Sequence, residues 1–157
     1  MFGLLLAAQP NVHAEYPPHL NGDRDFILTD GHMGTAYYLR KSSIAVEQDE
    51  PPIRIIAAEV YIIDGDADRG NTTVSSILPV RFRYKMDTVE MYAPDESGGW
   101  RLINPAGSWA ETGVIMPTGE MIFYVTYGEK FYGKRKLHSD YSGEYDIFSD
   151  DFYAKAN

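Results

Sequence analysis

Cysteine is absent from the chain. That excludes disulfides, thiolate nucleophiles, thiolate metal sites and a lipid-modified N-terminal cysteine. Positive charge is scarce, since 14 Lys and Arg face 23 Asp and Glu for a formal net charge of −9. General nucleic-acid binding needs a basic surface to neutralise phosphate, so it is not expected, and neither is adsorption to an anionic membrane. Long hydrophobic runs are missing too. Nothing approaches the roughly 20 apolar residues that span a bilayer, and no membrane insertion is expected. Histidine is sparse: His13, His19, His32 and His138 are scattered, with no H-x-H or HExxH arrangement. No metal site and no cofactor is expected on that basis. The G-x-S-x-G and S-x-x-K signatures and a phosphate-binding glycine loop are also lacking, and no base lies near Ser108, so no catalytic residue is assigned.

What is abundant is aromatic side chain, with 12 Tyr, 7 Phe and 2 Trp in 157 residues. Tyr suits half-buried sheet positions, where the ring packs and the hydroxyl stays wet. The length fits one domain with a single core, placed at about residues 26–133 of a domain spanning 15–157, with a C-terminal tail. Residues 1–14 carry no charged side chain; an apolar run from Phe2 to Ala8 leads to Val12-His13-Ala14. This pattern predicts a truncated secretory signal cleaved before Glu15, lacking only the basic n-region. Export to the cell surface, periplasm or medium follows.

The strand signals are short and separated by turns. Phe26–Thr29 is expected as a strand, Asp30-Gly31 as a turn, and Thr35–Leu39 as the next strand. A turn at Arg40–Ser42 then precedes Ser43–Val46, and Glu47–Pro52 reads as an exposed loop. Ile53–Ile63 is apolar on both faces, as in a central strand covered on both sides. Its hairpin partner runs over Thr72–Lys85, where Pro79 marks a bulge or an edge. Val89–Tyr92 and Trp100–Ile103 follow. The period then changes: Pro117, Thr118 as cap, Glu120 in the first turn and Gly133 as stop predict a helix over about 119–132. A β-prone run, Ile122–Tyr127, supports a strand as the alternative. A short helix is expected near Asp150–Lys155. The fold class is therefore α+β: an antiparallel meander of about six or seven strands, with one helix packed near the C-terminal third.

Site candidates are few. Asp64, Asp66 and Asp68 have the opening of a calcium loop, but Arg69 and Ser75 stand where Gly and Glu are needed, so a polar hairpin tip fits better. Arg81, Arg83 and Lys85 alternate with Val80, Phe82 and Tyr84. They form a possible anion-contacting stripe unless Glu59 and Glu90 neutralise them. Trp100, Arg101, Asn104, Trp109 and Glu111 combine aromatics, a cation, an amide and a carboxylate on a long connection, as a recognition loop does. The competing reading has Trp109 plugging the sheet.

Gly107-Ser-Trp-Ala-Glu-Thr-Gly113, with Pro117-Thr-Gly-Glu120 and Phe131-Tyr-Gly133, resembles a family of small exported bacterial proteins without assigned function. Tyr38–Ile44 is similar to a β-hairpin pattern of the surface-adhesin protein E group. These resemblances imply an exported, sheet-based domain and, from the second, adhesion. The expected function is a non-enzymatic binding module engaging a protein or envelope component. Alternatives are an acidic-pair hydrolase of cell-wall or sugar polymers using Glu111 or Glu120, and a structural homodimer joined at a sheet edge.

Overall fold

The computed structural model describes residues 15–157, and the expected signal remnant at 1–14 lies outside the described residues. Strands β1 (Phe26–His32), β2 (Thr35–Glu50), β3 (Ile53–Ile63), β4 (Ser76–Lys85), β5 (Glu90–Pro94) and β6 (Trp100–Ile103) form one antiparallel sheet. They lie side by side in chain order. A two-stranded sheet, β7 (Lys136–Ser139) with β8 (Gly143–Asp146), stands apart from it. The helices are α1 (Trp109–Thr112), α2 (Ile115–Tyr127) and α3 (Asp150–Ala154). The fold is α+β, a meander with one main helix.

The turns form where the backbone chemistry permits them. Met33 and Gly34 both have positive φ, 49° and 82°, and His32 pairs with Thr35 across them. A two-residue hairpin needs that conformation, so the turn sits there and not at Asp30-Gly31. No turn occurs at Arg40–Ser42. Instead β2 continues to Glu50 and absorbs the surplus residues between the pairs Arg40–Glu59 and Ala45–Ala57 as an irregularity. Side chains replace the lost ladder bonds. Ser43 Oγ donates to the Arg40 carbonyl at 2.6 Å and accepts the Glu59 amide at 2.8 Å. Asp25 accepts the amide and hydroxyl of Ser42 at 2.8 and 2.5 Å. The expected loop shrinks to Pro51-Pro52, at a hairpin end where proline forfeits no ladder bond.

The helical reading of the C-terminal third is correct in kind and shifted in place. α2 starts at Ile115, so Pro117 lies in its first turn, where an amide has no helical acceptor. It ends at Gly128, whose φ of 69° lets its amide close onto the Tyr124 carbonyl. Thr118 is inside the helix, and its hydroxyl bonds the Val114 carbonyl. Gly133 is not the stop.

Met121, Ile122 and Phe123 of α2 are fully buried against Phe82, Tyr84, Met91 and Ile103 of the sheet. Each large apolar side chain so enclosed contributes about 1.5–3 kcal/mol. Gly119 permits this approach, because a Cβ there would meet the Phe82 ring at 2.8 Å and the Met91 sulfur closer still. On the opposite face, Ala36, Tyr38 and Ile63 pack under Leu20 and Ala67. β3 is therefore covered on both sides over part of its length, as its apolar pattern predicts. The core also reaches past 26–133, since Leu20 and Tyr153 are both buried.

Candidate binding site

β4 is hydrogen-bonded to β3 along its whole length, but to β5 only through Arg83–Lys85. Beyond that point β5 leaves it. Ala93 and Pro94 pair with Arg101 and Trp100 of β6, and Pro94 ends the strand. The turn that follows is tightened by Asp95, whose Oδ1 accepts the amides of Ser97 and Gly99 at 2.9 and 2.8 Å. Hydrogen bonds from Ser97 and Gly99 hold that carboxyl below the usual range.

The parting of β4 and β5 opens a cleft of about 480 Å³, whose walls include Leu78, Val80, Phe82, Ala93, Pro94 and Ile115. Its surface is overwhelmingly apolar, and Arg81 and Glu47 stand at its rim. A smaller apolar space of about 110 Å³ lies further in, bounded by Tyr37, Val60 and Val114 and sharing Leu78, Phe82 and Ile115 with the first. Apolar sites with a few polar groups at the mouth are the usual form of a ligand pocket. Arg81 is held in place by an ion pair from Nη2 to Glu47 Oε2 at 2.6 Å, and its guanidinium lies 5.3 Å from the Trp100 ring.

The structure separates the residues that the sequence grouped. Trp100 meets Arg81, which stands at the rim of the cleft. Arg101 is exposed on β6, and Asn104 is a turn former whose Oδ1 accepts the Ala106 amide at 2.9 Å. Trp109 does not plug the sheet. It is 58% exposed on α1, with its ring edge-to-face against His32 at 4.5 Å. Glu111 is exposed on the same short helix. In the basic stripe, Arg81 pairs with Glu47 rather than Glu59, Arg83 lies 5.6 Å from the Tyr92 ring, and Lys85 is registered opposite Glu90. Glu47 escaped notice because it sits in the part of β2 that reads as loop.

The sequence also missed a polar cluster at the edge of the helix–sheet interface. His32 Nδ1 is 2.6 Å from Asp30 Oδ2, and the His32 ring stacks on Tyr37 at 6.0 Å. Burial raises the Asp30 carboxyl and lowers the Lys155 amine, and the two charges oppose those shifts by attracting each other. A register shift in β1 between Leu28 and Asp30 sets this arrangement, and it leaves no signature in spacing.

No protein-family model, curated protein or solved structure matches the chain. The site rests on its own geometry. Of the two carboxylates considered for acid–base work, Glu120 is fully enclosed. Its Oε1 accepts the amides of Phe131 and Gly133 and the hydroxyl of Tyr153, at 2.8, 3.1 and 2.8 Å. Its Oε2 accepts the Tyr132 amide at 2.8 Å. Such a carboxylate joins three chain segments and offers no oxygen to a substrate. Among the described residues, no group of three or more His, Asp or Glu side chains is placed to hold a metal ion. No helix among them is long and apolar enough to cross a membrane.

Proposed function

We propose that this chain is a non-enzymatic binding module, exported to the bacterial envelope or beyond, which seats an apolar group in the cleft between β4 and β5. The supporting observation is that cleft of about 480 Å³, walled by Leu78, Val80, Phe82 and Ile115 and open to solvent beside Arg81. Leu78 is 46% exposed there, an apolar side chain kept at an entrance rather than folded inward. Burial of apolar surface is the driving force available to a ligand, at about 25 cal/mol per Å². Export is supported by the uncharged apolar run at Phe2–Ala8 and the Val12-His13-Ala14 pattern.

The test is titration with an apolar fluorescent probe such as anilinonaphthalene sulfonate, followed by Leu78→Asp. A carboxylate in the apolar entrance is expected to weaken binding at least about tenfold, because it must be desolvated as the probe enters. The substituted position lies on an exposed strand half, so the fold is expected to survive, and circular dichroism checks this. A probe that binds the variant as tightly as the parent occupies another place, and the reading then fails.

A further inference from the structure

The cleft has a main-chain side as well as an apolar one. Among the described residues, the Ser76–Phe82 half of β4 has β3 on one side and no strand on the other. The Glu59 amide donates to Ser43 Oγ on β2, so it points away from β4. Glu59 and its partner Pro79 are therefore a non-hydrogen-bonded pair of the β3–β4 ladder. Pro79 turns its backbone to the open edge, and at the two-residue period Ile77 and Arg81 do the same. Arg83 and Lys85 continue the series as partners of β5. The free edge thus presents the N–H and C=O of Ile77, the C=O of Pro79, and the N–H and C=O of Arg81. Proline removes one donor from the middle and leaves a donor at each end.

Side chains alternate along the same edge. Leu78, Val80 and Phe82 are themselves apolar walls of the cleft, while Ile77, Pro79 and Arg81 alternate with them on the other face of the strand. Nε and Nη2 of Arg81 both reach the same Glu47 oxygen, at 2.7 and 2.6 Å, which leaves the Nη1 side of the guanidinium available for a second carboxylate. The stretch from Asn71 to Val80 carries no charge of its own in a chain of net charge −9. An incoming acidic group therefore meets Arg81, shared with the Glu47 carboxylate, and no charge on the rest of the free half of β4.

We infer that the ligand of the cleft is an extended segment of a partner protein, with alternating apolar side chains and an acidic residue opposite Arg81, which adds to the free edge of β4 as another strand. This rests on the binding reading above and goes further. An apolar small molecule would fill the cavity but leave the main-chain groups of Ile77, Pro79 and Arg81 to water. A strand satisfies both sets at once, the main-chain bonds supplying affinity and the alternate side chains specificity. The Trp100 ring, 5.3 Å from the Arg81 guanidinium, flanks that cation.

The experiment is amide hydrogen exchange read by NMR on the full chain, with a capped heptapeptide of alternating valine and threonine carrying one central glutamate. At saturation, exchange of the Ile77 and Arg81 amides is expected to slow at least about tenfold, whereas the apolar probe alone leaves both unchanged. The peptide N-methylated on its edge-facing amides is expected not to bind. Ile77→Pro removes an outward donor from a half-exposed edge position, so it should lose the peptide while keeping the apolar probe. Peptide binding that protects neither amide overturns the strand inference, as does equal binding of the N-methylated peptide. A probe that binds where the peptide does not overturns it too, yet leaves the apolar cleft standing; failure of both removes both readings. Ile77 and Arg81 amides already protected in a free protein of dimeric mass by light scattering would give the edge to a second copy and overturn the partner inference.

Discussion

Glu120 shows how much a single residue can hold in this molecule. It sits on α2, yet its four hydrogen bonds run to Phe131, Tyr132, Gly133 and Tyr153. Glu120→Gln keeps the shape but aims an amide at backbone donors, and is expected to cost about 2–4 kcal/mol, read by urea denaturation. Burial, and then the Glu120 charge itself, pushes the Tyr153 hydroxyl far above its ordinary value. Gly133 belongs to the same nest. A Cβ there would collide with the Tyr153 hydroxyl, which explains a glycine that the sequence alone reads as a helix stop. At the sheet margin, Asp25 is held below its ordinary value chiefly by the Ser42 hydroxyl, with help from the Ser42 amide and Arg40. A depressed carboxylate contributes stability that is complete above its unfolded value of about 3.9 and is lost as pH falls through the folded value. Acid titration of Asp25→Asn should therefore show a shallower loss of stability below about pH 4 than the parent.

At the scale of elements, α2 is fixed by what it touches more than by its own signals. Its sequence includes a proline, a glycine and the β-prone run Ile122–Tyr127, all poor for an isolated helix. The helix forms because Met121, Ile122 and Phe123 are enclosed by the sheet. Gly119→Ala, favourable by propensity alone, is expected to destabilise by about 1–3 kcal/mol because the added methyl meets Phe82 and Met91. Thermal unfolding would distinguish the two effects by sign. β2 carries the opposite lesson. Arg40–Ser42 resembles a turn locally, yet Asp25 and Ser43 bridge the irregularity and the strand runs on to Glu50. β4 is the element on which the proposed function depends, since only Arg83–Lys85 of it carry β5.

Taken whole, the molecule is a sheet packed on both faces, with α2 on one side and the Leu20 and Ala67 segments on the other. α3 closes the C-terminal end through Tyr153, whose ring lies 4.8 Å from Tyr124 and whose hydroxyl reaches Glu120. Ending the chain after Ser149 removes that buried ring and one donor of the nest. The loss is expected to exceed that of Tyr153→Phe, which deletes the hydroxyl alone and should cost about 1 kcal/mol in urea denaturation. A truncated chain as stable as the parent would mean that the C-terminal helix lies outside the cooperative unit.

The sequence by itself determined the α+β class, the β3–β4 hairpin and the last short helix, and it left Pro79 as either a bulge or an edge, of which the strand pairing selects the edge. Each of these follows from alternation or punctuation within a dozen residues, where local sterics and burial speak directly. It also selected Arg81 and Trp100, one as part of a cationic stripe and the other as an aromatic on a long connection. Only the tertiary structure decided that these two side chains meet, that Trp109 lies instead on His32, and that Glu47 is the partner of Arg81. Those are contacts between distant segments, set by the register of β2 and by the point at which β5 leaves β4. The apolar cleft has the same origin. Leu78, Val80, Pro94 and Ile115 look like ordinary core residues in sequence, and it is the parting of two strands that turns them into walls open to solvent.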